Sequence, residues 1–270
     1  MRRNSRRVSS FVLGCALLWA LAGAPARAAA WTQGDGQGEM IVTTLFDQAN
    51  TSFNQAGRFT PTAQYRSLQA YAYVEYGVSD WLTALVKPSL QSSSLGAPLD
   101  QHFTGLGDSE LGFRARLWRN DDTVLSVQAE ARIPTSAGAA NSWLPGSKNA
   151  DFDLRGLLGK TISVGGFSGF INLELAYRLR GGAAPNEARA DVSFGLYATP
   201  NLLVLAQSFN IVSEASQNPN FPHWTQSKAQ LSLVYRVAPE WRVQAGGFTT
   251  LAGLNAYREN GVLLAVWRQF

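Results

Sequence analysis

Cysteine is almost missing from this chain. Among 270 residues there is one, Cys15, and it lies within the first thirty. Everything after it is left without disulfides and without thiol chemistry. Histidine is nearly as scarce. His102 and His223 are the whole supply, so no metal centre built on histidine is expected. Beyond residue 30 no apolar run reaches the length of a transmembrane helix. A sustained 3.6-residue period is absent too, so no long amphipathic helix stands out.

The first thirty residues differ from the rest. "MRRNSRRVSS" carries four arginines and no acid, "FVLGCALLWALAGA" is apolar but short for a bilayer, and "PARAAA" offers an A-x-A arrangement of small residues. This is the layout of a secretory signal peptide on the Sec route, with cleavage expected near Ala28 to Ala30. Residues 1–30 are read as a cleaved leader and 31–270 as one domain. The leader holds Arg2, Arg3, Arg6, Arg7 and Arg27. Of 23 basic and 19 acidic residues in the chain, 18 and 19 remain once it is removed. A basic surface for nucleic acid loses its support, and no such partner is expected.

What the chain does have is alternation. In "INLELAYRLR" (171–180), Ile171, Leu173, Leu175, Tyr177 and Leu179 share one face, while Glu174, Arg178 and Arg180 share the other. "VLSVQAEARI" (124–133) and "QLSLVYRV" (230–237) repeat the pattern. A period of two means strands with one apolar and one polar face. Turn signals at Gly77–Asp80, Arg119–Asp122, Ala198–Asn201 and Val237–Glu240, with a less tidy one at Thr161–Gly166, alternate with longer polar stretches. Those stretches fall near 48–64, 93–104, 135–149, 181–188, 210–224 and 252–258. Twelve strands result.

A soluble sandwich would turn the apolar faces inward, and a transmembrane barrel would turn them outward to lipid. Strand length favours the barrel, because many strands run ten residues or more. So does the alternation of tight turns with long loops. Tyr76, Trp81, Trp118, Tyr197, Tyr235 and Trp241 also sit beside the short turns, as an interfacial girdle would. The expected fold is all-β: a twelve-stranded antiparallel transmembrane barrel with short periplasmic turns and longer external loops. Pro88 is awkward in a closed sheet and is expected near the rim or at a bulge.

The final strand ends in Phe270, with Val262, Leu264 and Val266 on the same face. It resembles the assembly signal of bacterial outer-membrane barrels, which implies residence in the bacterial outer membrane. Outer-membrane lipid and the barrel assembly machinery are then expected partners. Arg268 departs from the pattern, at a position where it can snorkel to head groups.

"GLGDSELGFRARL" (105–117), a turn and "LSVQAEARIPT" (125–135) form a further pattern. Gly105, Gly107, Asp108, Leu111, Gly112, Arg116, Leu117, Ile133, Pro134 and Thr135 carry it. This hairpin resembles that of outer-membrane transporters associated with the meta-cleavage pathway of phenol degradation. Ser136 and Ala137 stand where that family usually has Gly. The resemblance implies a porin-like, transporter-like barrel.

With this facing, the lumen should hold Glu75, Lys87, Glu110, Arg114, Arg116, Glu130, Arg132, Asp153, Arg155, Glu174, Arg178, Arg180, Arg236 and Arg242. Five acids and nine bases imply ion pairs with a basic surplus, either stiffening a closed barrel or lining a narrow channel for small polar, anionic or aromatic solutes. Tyr71 and Tyr73 hint at an apolar pocket.

No cofactor, metal or catalytic site is expected. Outer-membrane phospholipases use an H-x-S-N-G pattern that this chain lacks, and "HWTQS" (223–227) is a poor dyad. "LRGLLGKT" (154–161) misses the first Gly of a phosphate loop, "DFDLRG" (151–156) lacks the closing Glu of a calcium loop, and "GDGQGEM" (34–40) reads as a flexible lead-in. Passive transport is the expected function. A membrane hydrolase and a closed structural barrel are the alternatives.

Overall fold

The computed structural model describes residues 30–134, 149–215 and 221–270. The leader and most of the 135–149 loop lie outside the described residues. The strands are β1 Gly38–Phe53, β2 Phe59–Ser79, β3 Leu82–Lys87, β4 Ser89–Leu95, β5 Gln101–Leu106, β6 Ser109–Arg119, β7 Thr123–Ile133 and β8 Asp151–Val164. There follow β9 Phe167–Leu179, β10 Glu187–Thr199, β11 Leu202–Ser213, β12 Thr225–Ala238, β13 Trp241–Leu254, β14 Ala256–Tyr257 and β15 Asn260–Gln269.

Each strand pairs antiparallel with its neighbours, and β1 pairs with both β2 and β15, so the sheet closes on itself. β3 and β4 are one crossing interrupted at Pro88. β5 and β6 are another, interrupted at Gly107 and Asp108. β14 is a two-residue extension against the end of β1. The barrel therefore has twelve crossings, as the alternation implies.

Facing follows the pattern. Leu231 is 60% exposed and Leu175 56%, whereas Arg178 is 4% exposed and Arg114 1%. An outward apolar belt around a polar interior is the inside-out arrangement of a transmembrane barrel. Tyr76, Trp81, Trp118, Tyr235 and Trp241 are exposed beside the short turns. Tyr197 departs from the expected girdle. Its register partner is the inward Leu203, and it packs, partly buried, against the apolar cluster inside the barrel to which Leu203 belongs. The Arg268 guanidinium lies 5.3 Å over the Trp241 ring, so its charge rests on an aromatic face.

Four short hairpins shift register just before the turn, at Gly77/Ser79, Arg116/Trp118, Tyr197/Thr199 and Arg236/Ala238. The fifth, between β8 and β9, instead turns on Gly165 and Gly166 at φ 57 and 86, a conformation that suits a two-residue hairpin and resists side chains. In the turn between β6 and β7, Thr123 Oγ1 donates to Asp122 at 2.7 Å and holds that carboxyl below its usual range.

One expectation needs correction. The stretch 48–64 is mostly strand, because β1 and β2 run past the apolar belt to a tight turn at 54–58; polar residues fall on both faces there, so alternation could not mark it. Pro88 takes the second of its two expected places, a bulge: it lies in mid-wall, where pairing with the next crossing slips by one residue between Lys87↔Glu110 and Leu90↔Leu106. With no N–H to give, it splits its crossing, and Gly107 splits the next one. The gap is bridged by Gly107 N donating to Ser89 O at 2.9 Å and Ser89 Oγ donating to Asp108 O at 2.8 Å.

Candidate functional site

The lumen holds the chemistry. Arg114, on β6, is its most connected side chain. It pairs with Glu75 of β2 at 2.9 Å, and donates to Gln128 at 2.8 Å, to the Tyr73 hydroxyl at 2.9 Å and to the Trp31 carbonyl at 3.0 Å. A buried guanidinium persists only when its donors are this fully occupied.

Beside it, Lys87 meets Glu110 at 3.1 Å and lies 5.0 Å over the Tyr71 ring. Arg155 faces three carboxylates: Glu174 at 2.6 Å, Asp191 at 3.2 Å and Asp153 at 3.4 Å. Arg178 joins Asp153 at 3.3 Å and Glu110 at 3.9 Å. Nearer the long loops, Arg132 pairs with Asp108 at 2.7 Å, Arg180 with Asp151 at 3.0 Å and with Glu187, and Arg189 with Glu187 at 2.7 Å. Arg242 comes within 4.0 Å of Glu39. Glu130 also faces inward, over Gly112; a Cβ on Gly112 would come within 2.7 Å of the Glu130 Cγ and 2.2 Å of the Ala129 carbonyl.

All fourteen expected residues thus lie on the inward face or at its ends, but not in one cluster. Arg116 is near the short turns, 3.5 Å from Thr32 Oγ1, and Arg236 bonds the Pro200 carbonyl at 2.5 Å. Tyr71 and Tyr73 also face inward. Seven inward acids escaped sequence reasoning: Glu39, Asp47, Asp108, Asp151, Glu187, Asp191 and Glu259. So did the bases Arg189 and Lys228, the latter paired with Glu259. Glu187, Arg189 and Asp191 alternate in "EARADV", so parity could have found them. With these included, twelve acids stand against eleven bases, and the expected basic surplus disappears.

The lead-in at 34–40 is not free either. Residues 30–37 run across the lumen at the short-turn end. Ser126 Oγ donates to the Ala30 carbonyl at 2.6 Å, Gln33 N to Thr83 Oγ1 at 2.9 Å, and Gln33 Nε2 to Glu75 at 2.7 Å. Gly36 N donates to Gly77 O at 3.0 Å, and Gly77 N to Gln37 O at 2.8 Å. Trp31 packs edge-on against Phe170, 6.4 Å between centroids, and joins Leu203, Leu205 and Trp267 in a small apolar core inside the barrel. A Cβ on Gly159 would come within 2.5 Å of that indole. Ala30 itself is buried against Val124 and Leu157.

Above this strap lies a central cavity of about 370 Å³, charged on one wall and apolar on the other. At the external end of β11, His223 Nδ1 lies 3.4 Å from Ser213 Oγ. That serine is 2% exposed, and its hydroxyl already donates to the Glu214 carbonyl at 3.1 Å and accepts from Trp224 N at 2.9 Å. The pair ties a loop base together and offers no free nucleophile.

No family model matches the chain, and no curated protein matches it. Solved structures do. An outer-membrane channel from Pseudomonas putida F1 superposes with a TM-score of 0.72 at 13% identity, over 90% of this chain and 98% of that one. The fold is that of an outer-membrane β-barrel. The NanC porin aligns at TM-score 0.53 and 9% identity, over 84% and 98% of the two chains. The translocator domain of the autotransporter NalP from Neisseria meningitidis aligns at 0.50 and 13%, over 88% and 90%.

Proposed function

We propose that this outer-membrane β-barrel protein resides in the bacterial outer membrane and acts as a passive, narrow channel for small solutes. The observation that carries this reading is the central cavity. It is enclosed by a closed sheet, lined by charges of both signs and bounded below by the strap, while the outer face is apolar. Such a lumen suits hydrated solutes better than a packed core does. The likeness to the Pseudomonas putida F1 channel agrees in fold.

The finer kinship, with transporters of the phenol meta-cleavage pathway, rests on the β5–β7 motif. Its glycines have structural work to do, since Gly107 sits at a break in the wall and Gly112 beneath Glu130. Export by the Sec route and insertion through the Phe270 signal, with Val262, Leu264 and Val266, belong to the same proposal. The buried position of Ala30 supports cleavage before that residue, which the intact mass of the mature protein measures.

Planar-bilayer recording tests the channel. Folded protein, identified by heat-modifiable migration, should give small, ohmic, long-lived steps. Silence from folded protein would remove the permeation reading.

A further inference from the structure

The charge around the central cavity is not that of the lumen as a whole. Six carboxylates line it (Glu39, Glu75, Glu110, Glu130, Glu174 and Asp191) against three bases, Lys87, Arg114 and Arg155. Counting Asp153, Arg178 and Arg242 just behind the wall still leaves seven acids to five bases. The remaining bases lie elsewhere. Arg132, Arg180, Arg189 and Lys228 are paired near the long loops, and Arg116 and Arg236 stand at the short-turn end.

The three cavity bases are also committed. Arg114 is buried beneath four acceptors. Lys87 lies between Glu110 and the Tyr71 ring. Arg155 is shared by three carboxylates, so Asp191 and Glu174 are only partly compensated. Glu130 has no ion-pair partner among the described residues. A passing anion would meet no unclaimed cation, whereas a passing cation would meet carboxylates in excess. Rings of acidic side chains select cations by this means.

The opposite wall narrows the solute class. Phe170, Phe209 and Trp267 line the cavity beside Leu203, Leu205 and Leu263. Aromatic faces attract cations and accept apolar bodies. We infer that the central cavity selects cations over anions, and that its organic solutes are ammonium compounds with an aromatic or aliphatic body. This rests on the permeation reading above.

The test is a reversal potential across planar bilayers carrying the mature chain, under a potassium chloride gradient in mildly alkaline buffer. It should lie toward potassium, with a cation-to-anion permeability ratio of about three or more. Glu130→Gln and Asp191→Asn should each lower the ratio by about twofold, since each removes a charge facing the path. Asp122→Asn, on the exposed short turn between β6 and β7 and away from the cavity, should leave it unchanged. Benzyltrimethylammonium chloride should carry cation current, and sodium benzenesulfonate should carry none through its anion. A potential lying toward chloride, an unmoved ratio in both cavity variants, or preferred passage of the sulfonate overturns the inference while leaving a channel. Absence of all current overturns the permeation reading instead. Should either variant fail to fold, the wild-type ratio and the paired organic ions decide.

Discussion

Arg114 shows what a single side chain does here. It joins β2, β6, β7 and the strap through one guanidinium that is 1% exposed. Replacing it by Ala strands Glu75 as a buried charge with only neutral partners. A broken buried pair typically costs about 3–5 kcal/mol. Arg114→Ala should therefore lower the urea midpoint of unfolding in lipid vesicles, and the double variant Arg114→Ala, Glu75→Gln should recover part of the loss. An unchanged midpoint would show that the pair contributes little. The inward facing of Arg114 and Glu75 was legible in the sequence, because period two assigns each residue to a face. Their contact was not, because alternation says nothing about height along the barrel or which strand stands opposite. Asp108 and Asp151 escaped for a related reason: they sit at strand ends, where alternation has barely begun.

At the scale of elements, the strap is the least expected piece. Its sequence, rich in Gly and polar residues, carries no period at all. Its order comes from partners far along the chain: Thr83, Glu75, Arg114 and Ser126 supply hydrogen bonds, and Gly77 and Gly159 supply room. Trp31 is its apolar anchor. Trp31→Ala removes a large, partly buried ring, a change that should cost less than the roughly 3–5 kcal/mol of a fully buried Trp. The loss falls on docking of the strap and much less on the wall, whose ladder does not involve it. Unitary conductance should rise, with little change in heat-modifiable migration. Equal conductance in variant and wild type would mean that the strap does not narrow the path. The extended ends of β1 and β2 illustrate the converse. Polar residues on both faces hid them from pattern reading, yet the ladder continues through them to Phe59.

For the whole molecule, strand number, order, facing and the short-turn side were all readable from alternation and turn chemistry. Closure was readable only as an inference from exposed apolar faces, since no local pattern reports which strand meets β1. The seam itself is tight. Gly38 N donates to the Phe270 carbonyl at 2.7 Å and Phe270 N to the Gly38 carbonyl at 2.9 Å. A Cβ at Gly38 would lie 2.4 Å from the Phe270 ring and 2.8 Å from the Glu75 carbonyl. Gly38→Val should therefore slow folding into vesicles and reduce the heat-resistant band, and Gly38→Val paired with Phe270→Leu should recover some of it. Full folding of the single variant at the wild-type rate would show that the seam tolerates displacement.

That seam sets a timetable for the molecule. Glu39 and its hydrogen-bond partner Gln269 are 230 positions apart, so β1 must hold one raw edge open until β15 arrives. A chain cut short before β15 would not settle for a narrower ring. It would keep two unpaired edges in hydrocarbon, which bare backbone cannot endure.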